Sequence, residues 1–396
     1  MNSQLNFYAL TSIQAGIYIC VSSIMAGYIL YEIAGFKGAL LSLCFGSFIL
    51  WGLGLVFAKL AIVSRKILIE IVTDYLGQEG AKVCGITFAI SLIGWFAIQL
   101  EIMARSISTV YPFLPLLSIK IILGFFITTN VAKGMGWIAR FAAVSVPFLI
   151  LMMIYVLWCV HDPLMKIPEV SWNLNGVPII IAFSLAGIID APTYFSASRT
   201  PKDAYIATTI VYLLILPFMA FIGFCLAFYT GINDFVLSII NIGGKSWRVL
   251  AILFIILAGW TTNNGNLYSA SVCLAPNFSI NYATRTYLLG IIGIIFASVG
   301  VLERFTEVLD VMSIPMAALG AALLGLFLKD HLTYCSLSST ERRLYLSFVG
   351  CGVLVGIFSQ FKWISFLGYS FMDSFVTTLL VVFVYEGLKK WKHKLI

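Results

Sequence analysis

Residues 259–268 read Gly259-Trp260-Thr261-Thr262-Asn263-Asn264-Gly265-Asn266-Leu267-Tyr268, a polar run inside an apolar stretch of helix length. Trp247 to Leu257 leads into it, and Ser269 to Leu274 carries the helix on. Thr261, Thr262, Asn263, Asn264 and Asn266 would each be costly against hydrocarbon. Polar groups at that depth face a bundle interior or a wet cavity. Five together point to a place where something polar binds.

The surrounding chain supplies the hydrocarbon context. Of its 396 residues 61% are hydrophobic and 10% charged, and the mean hydropathy is +1.02. A soluble domain with that composition could not hydrate its surface. Apolar runs of ~20 residues mark transmembrane helices. Twelve are expected, near 10–33, 38–62, 82–107, 112–131, 138–160, 177–198, 204–230, 247–274, 283–301, 304–328, 343–360 and 364–388. No connecting loop is long enough to fold separately, so residues 1–396 are expected to form one membrane domain in a lipid bilayer. The N-terminus lacks a basic leader region and a small-residue cleavage site, so the first helix is expected to be retained. Residues 61–80 alternate charged and apolar side chains, as does a short amphipathic helix at the inner interface.

Basic residues set the orientation. With the N-terminus inside, 16 of the 24 Lys and Arg, among them Arg65, Lys66, Lys133, Arg140, Arg342 and Arg343, fall on the inner side. The remaining 8, among them Lys37, Arg105, Lys120 and Lys362, fall outside. Both termini are then cytoplasmic, and the protein is expected in the cell (inner or plasma) membrane. The net charge of +7 follows from this bias and calls for no nucleic acid. The eight cysteines are scattered without metal-ligand spacing and read as small apolar packers. His161, His331 and His393 sit in loops or the tail. No convergent set of His, Cys or paired acids is visible for an enzyme, and no cofactor is expected.

A repeat is hidden in the helices. Leu92-Ile93-Gly94-Trp95 in the third is matched by Leu257-Ala258-Gly259-Trp260 in the eighth, with the tryptophans 165 positions apart (260 minus 95). Met25-Ala26-Gly27 in the first is matched by Leu185-Ala186-Gly187 in the sixth, with the glycines 160 apart (187 minus 27). The offset pairs helix one with six and three with eight, giving two five-helix repeats, about 10–160 and 177–328. Helices 11 and 12, about 343–388, follow. An odd number of crossings inverts the second repeat, a plan in which broken helices meet near the midplane. The first helix looks breakable at Ser22-Ser23-Ile24-Met25-Ala26-Gly27, and the sixth at Gly187-Ile188-Ile189-Asp190-Ala191-Pro192-Thr193. Proline removes a backbone donor there, and freed carbonyls can serve an ion or substrate if they line a cavity.

The chain resembles the nucleobase–cation symporter-1 family of purine and cytosine permeases. Trp260-Thr261-Thr262-Asn263 through Leu267-Tyr268 is similar to the cytosine-permease pattern Trp-Thr-Thr-Asn-Asp-Asn-Ala-Leu-Tyr. Gly94-Trp95-Phe96, and Thr193-Tyr194-Phe195 through Pro201-Lys202-Asp203-Ala204, are further matches. The resemblance covers about residues 10–330. Departures fall at Thr193 and Ser196, where the family has an acid and an arginine, and at Asn264-Gly265 within the eighth helix. The implied fold is all-α and integral to the membrane: twelve transmembrane helices in a LeuT-type five-plus-five inverted repeat, with discontinuous helices 1 and 6. The implied activity is cation-coupled import of a nucleobase-like heterocycle, such as cytosine, hydroxymethylpyrimidine, uracil, a purine or hydantoin, by alternating access. A bundle of helices one, two, six and seven would rock against a scaffold, with the protein acting as a monomer.

The resemblance also assigns residues. Trp95 and Gln99, four apart on one helix face, would stack on and hydrogen-bond the substrate ring. Their other reading is packing and a bond to a neighbouring helix. Phe183 would close the opposite ring face, beside Gly187. Asn263 would contact substrate and Asn266 more weakly. The Ala258 carbonyl and the Thr261 and Thr262 hydroxyls would bind Na+ with carbonyls of the broken first helix near Ser23 and Ile24. Threonine back-bonding to the i−4 carbonyl is the alternative, and proton coupling stays open. Asp190 is a departure from the family: a carboxylate near the expected break in the sixth helix, it would meet a substrate amino group, carry a coupling proton, or cap a half-helix. Glu101 and Arg105, four apart, suit an intrahelical ion pair. Glu307 and Asp310 suit either an outer gate or solvated loop carboxylates. Asp373 has no evident role in the sequence. A more distant alternative is an amino-acid or amine transporter of the same fold.

Overall fold

The computed structural model describes residues 4–160, 172–232, 234–243, 245–330, 332–335 and 337–395. His161 and His331 lie outside these residues, as do the side chains of Asp310 and His393. The described chain forms α1 (Phe7–Tyr18), α2 (Val21–Ser64), α3 (Leu68–Val110), α4 (Leu116–Ala132), α5 (Met135–Cys159), α6 (Val177–Ile189) and α7 (Ala191–Phe195). It continues with α8 (Pro201–Ile210), α9 (Leu216–Thr230), α10 (Phe235–Asn241), α11 (Lys245–Cys273), α12 (Tyr282–Ser298), α13 (Phe305–Lys329), α14 (Ser339–Gln360) and α15 (Ser370–Leu395). Among the described residues, nine helical stretches are long and apolar enough to cross a membrane, and α4 and α12 are shorter apolar helices. The architecture is all-helical and integral to the membrane.

Local chemistry sets the helix ends. Asn6 caps α1 by accepting from the Ala9 N–H at 2.9 Å. Thr200 and Asp203 form a capping box at α8, whose first residue is Pro201. A π-turn at Val211–Ile215 joins α8 to α9 just before Pro217, which has no N–H to give the ladder. Within α2, Gly35 takes φ 66°, and within α3, Gly77 takes φ 78°. Only glycine enters that region without steric cost, so each long helix bends there.

Two expectations change. The Ser22–Gly27 stretch lies inside α2, and the interruption falls earlier, at Ile19–Cys20. Gly27 instead lets α2 press on α9: a Cβ there would run into the Ala220 carbonyl and Gly223. The 61–80 segment holds the end of α2, to Ser64, and the start of α3, from Leu68, and the apolar side of the latter is buried in protein. Tyr75 packs on Tyr334 with ring centroids 5.4 Å apart, and Asp74 pairs with Lys66 at 2.5 Å while accepting from the Tyr334 hydroxyl.

Buried acids elsewhere are partnered. Glu101 pairs with Arg105 at 2.5 Å, as the spacing suggests, and also with Lys120 from α4. Arg105 reaches Glu303 at 3.0 Å. Glu307 is exposed. Asp373 accepts from Ser359 at 2.6 Å and from the Phe366 and Leu367 N–H groups at 3.2 and 2.8 Å. It thereby fixes the turn between α14 and α15, a structural role that depends on residues 6–14 positions away.

Candidate substrate and cation site

Between α1, α2, α3, α6 and α11 lies a buried cavity of about 60 Å³. Trp95, Phe183, Gly187, Asp190, Thr262 and Asn266 all line it. All six come from the third, sixth and eighth of the expected helices, far apart in sequence.

The aromatic wall is a pair. Trp95 and Phe183 meet edge to face, with centroids 5.2 Å apart and planes at 82°. That geometry suits two ring quadrupoles. It also means that the rings touch each other, so a flat ligand between them requires them to part. Gln99, one turn on from Trp95, is fully buried and donates from Nε2 to the Ser22 hydroxyl of α2. Its Oε1 has no partner, and neither has Nε2 of Gln14, an α1 residue on the cavity wall. Gln14 thus brings an uncommitted amide donor to the cavity wall, whereas Gln99, with its uncommitted acceptor, is not among the lining residues.

The two asparagines divide differently from expectation. Asn263 turns away, donating to the Phe96 carbonyl at 3.0 Å. Asn266 lines the cavity and donates to Asn263 Oδ1 at 3.4 Å. Asn263 therefore stands behind Asn266. Asn264 also leaves the cavity, accepting from Asn130 of α4 at 3.1 Å.

The oxygens expected to meet a cation gather in part around α1's last turn. The final carbonyls of a helix have no intrahelical donor, and α1 ends at Tyr18. The Thr262 hydroxyl lies 3.2 Å from the Gly16 carbonyl, 3.1 Å from that of Ile17 and 3.0 Å from that of Ala258. A hydroxyl has one proton, so it satisfies only one of three converging oxygens at a time. Thr261 adds a hydroxyl 2.9 Å from the Ala258 carbonyl. Ser23 and Ile24 do not join this group. Ser23 donates to the Tyr18 carbonyl at 2.7 Å, and the Ile24 carbonyl faces Gly223 of α9. The reason is the position of the interruption: a break at Ile19–Cys20 frees carbonyls before it, in α1, and not those of Ser23 and Ile24.

Asp190 sits between α6 and α7, is 4% exposed, and accepts from Thr193 at 2.6 Å and from Ser269. No described Lys, Arg or His pairs with it. It makes no cap bond to the backbone of α7.

No family model matches the chain, and no curated protein matches it. Solved structures do. Mhp1, a nucleobase-cation-symport-1 family transporter, in a closed conformation with bromovinylhydantoin bound, superposes with a TM-score of 0.80 at 15% identity, over 100% of this chain and 94% of that one. The chain has the fold of Mhp1. The inward-facing conformation of Mhp1 gives 0.73 at 16% identity, over 99% and 93%. A Na+-coupled sialic acid symporter in a substrate-bound outward-open state gives 0.69 at 13% identity, over 98% and 90%.

Within this Mhp1-like fold, further residues complete the site that sequence reading passed over. The Tyr18 hydroxyl lies 2.9 Å from that of Tyr212 and donates to the Ser184 carbonyl at 3.4 Å. Gly187 makes room for it, since a Cβ would strike the Tyr18 hydroxyl. The Tyr194 hydroxyl bridges the Gly265 carbonyl at 3.1 Å and Ser269 at 2.8 Å. Tyr194 falls within a quoted motif and Ser269 directly follows one, but nothing local marks their pairing. Tyr18 and Gln14 carry no motif, and Ser22 belongs only to the stretch expected to break.

Proposed function

We propose that this protein belongs to the nucleobase–cation symporter-1 family and imports a small flat heterocycle together with Na+ by alternating access. The observation that carries this reading is the convergence of the Gly16, Ile17 and Ala258 carbonyls on the Thr262 hydroxyl, at the wall of an aromatic-lined cavity. Hard oxygen ligands from two helices suit Na+, which would replace the hydroxyl proton as the positive partner of those oxygens. Trp95 and Phe183 would part to hold the ring, while Gln14, Gln99 and Asn266 meet its hydrogen-bonding edge. Na+ ties α1 to α11, so it favours the conformation that binds substrate, and by linkage substrate raises affinity for Na+.

The helices support twelve crossings when α1 is taken with the first half of α2, α2 is divided at Gly35, and α6–α7 and α8–α9 each count once. Helices one to five and six to ten then form the two inverted repeats, interrupted at Ile19–Cys20 and Asp190. Both termini are cytoplasmic, and the monomer is the transporting unit.

The test is a thermal-shift panel of nucleobases, hydroxymethylpyrimidine and hydantoins, in Na+ or K+ buffer, followed by uptake into proteoliposomes. A heterocycle that stabilises the protein more in Na+ than in K+, with uptake that collapses with the Na+ gradient, is the expected result. If no heterocycle shifts the midpoint in either buffer, the substrate reading fails.

Asp190 favours a second reading. A buried carboxylate on the cavity wall without a cationic side chain suits an amino group on the substrate, as in an amine or amino-acid transporter, or a coupling proton. Stabilisation by amines or amino acids in the same panel, or uptake driven by a pH gradient without Na+, would replace the first reading with this one.

A further inference from the structure

A second feature lies on the outside of the bundle, behind the proposed cation site. A groove of about 620 Å³ runs between α5 and α11. Trp137, Phe141, Val144 and Phe148 line one side, and Leu253 and Leu257 the other. Val144 is 78% exposed and Trp137 48%, so in a membrane the groove opens toward lipid. One end is different in character. Arg140 and Asn130 line the groove there, and the Lys133 ammonium sits 4.5 Å above the Trp137 ring, with the Arg140 guanidinium 5.9 Å from it. Neither cation has a carboxylate partner among the described residues. Behind the wall, Phe141 stacks on Trp260 with centroids 5.4 Å apart at 29°, and the Trp260 indole N–H is buried without an acceptor. The next turn of α11 holds Asn264, 1% exposed, whose Nδ2 is likewise unpartnered.

We propose that this groove is a binding site for one anionic phospholipid, with its phosphodiester held by Lys133 and Arg140 and an acyl chain laid along Phe141, Val144 and Phe148. Charge complementarity commits the occupant. Two unpaired cations at the mouth of an apolar slot match an anionic head on a hydrocarbon tail, and basic pockets between membrane helices recognise such head groups. The cationic side chains keep their heads at the interface while their stems lie along apolar surface. A larger groove of about 810 Å³ between α3, α13 and α14 offers the contrast, because no Lys or Arg lines it. Its lining is mostly apolar, with Thr87 and Gln360 its polar uncharged side chains, so it accepts a tail regardless of head-group charge.

The site also touches function. Trp260, stacked on the groove wall, immediately precedes Thr261 and Thr262. A lipid that fixes Phe141 and Trp260 therefore holds the stretch of α11 that carries those hydroxyls. The site itself depends only on the groove and its cations, so it stands or falls separately from the transport reading.

The experiment is a thermal shift on the full chain in detergent, titrated with phosphatidylglycerol, phosphatidylcholine, or inorganic phosphate, with native mass spectrometry counting retained lipid. Phosphatidylglycerol is expected to raise the midpoint well beyond phosphatidylcholine and to remain as one molecule per chain. Inorganic phosphate is expected to do nothing, because it has no tail. The double variant Lys133→Gln/Arg140→Gln should lose the difference between the two lipids at least tenfold in half-saturating concentration. Val144→Trp, at an exposed wall position, should fill the slot and lose the same increment while both cations remain. Equal shifts from the two lipids, a shift from phosphate alone, or an increment that survives either variant would overturn the proposal. The midpoint of each variant without lipid separates loss of the site from loss of the fold.

Discussion

The hydroxyl of Thr262 lies 3.1 Å from the carbonyl oxygen of Ile17, across 245 positions of chain. One comes from the polar run of α11 and the other from the last turn of α1. Their meeting joins an interrupted helix to a continuous one, and puts an oxygen cluster beside the aromatic pair.

Thr262→Ala removes the hydroxyl on which those carbonyls converge. Hydrogen bonds and ligands to a charged group contribute ~1.5–3 kcal/mol, so affinity for Na+ should fall roughly tenfold or more. Substrate binding in Na+ should drop to its level in K+, whereas Thr262→Ser should retain the wild-type difference. Calorimetric titration in the two salts reads both, and an intact Na+ dependence in the alanine variant would sink the ion site.

Trp95→Ala should weaken heterocycle binding by about 1–3 kcal/mol, the usual worth of stacking a base on an aromatic ring. Na+ binding in the absence of substrate should change little. Phe183→Ala should produce a smaller loss in the same direction. Binding curves for one ligand across the three proteins test this, and equal affinity in Trp95→Ala removes its stacking role.

Gly187→Ala should cost about 1–3 kcal/mol, because the added methyl meets the Tyr18 hydroxyl and the packing around it must shift. Adding Tyr18→Phe deletes that oxygen and should restore most of the loss. Thermal midpoints of the single and double variants measure the rescue. No recovery would mean that some other neighbour carries the clash.

Glu101→Ala strands the side chain of Lys120, which is 7% exposed. Breaking a buried pair from one side costs about 3–5 kcal/mol, so this variant should lose much of its stability. Glu101→Ala combined with Lys120→Met should recover a large part. A double variant no more stable than the single one would show that Lys120 is solvated in the folded protein.

Asp190→Asn keeps hydrogen-bonding capacity toward Thr193 and Ser269 while removing the charge. With Na+ as the coupling ion, Na+-driven uptake should persist and its dependence on pH should match the wild type. If uptake in Asp190→Asn loses a pH dependence that the wild type shows, the carboxylate is a proton carrier. Initial rates in mildly acidic and mildly alkaline buffer distinguish the two.

Several contacts in the candidate site were legible because they rest on local chemistry. Trp95 and Gln99 are four apart, so helix geometry alone puts them on one face. Thr261 and Thr262 lie three and four positions after Ala258, and their hydroxyls reach its carbonyl at 2.9 and 3.0 Å. The Glu101–Arg105 pair follows from the same spacing. Asn263 and Asn266 were correctly placed as neighbours, yet which of them lines the cavity was not readable. That depends on how α11 is rotated against α3, where the Phe96 carbonyl captures Asn263. The first-helix carbonyls were misplaced by several residues for a related reason. Ser22 to Gly27 looks weak as a helix, but Gly27 is needed for close approach to Gly223 of α9, and a packed glycine resembles a breaking one in sequence.

What the sequence by itself determined is therefore the solvent and the period: apolar runs that only lipid can accept, and polar residues within them that only an interior can accept. Backbone groups must be satisfied within a bilayer, so helices follow from composition with little freedom. The tertiary structure decided which oxygens and rings actually meet. Gly16 and Ile17 meet Thr262, Trp95 meets Phe183, and Tyr18 meets Tyr212 and the space left by Gly187. Each of those meetings spans tens to hundreds of residues and is fixed by helix rotation and register, quantities that side-chain packing sets and that no local pattern encodes.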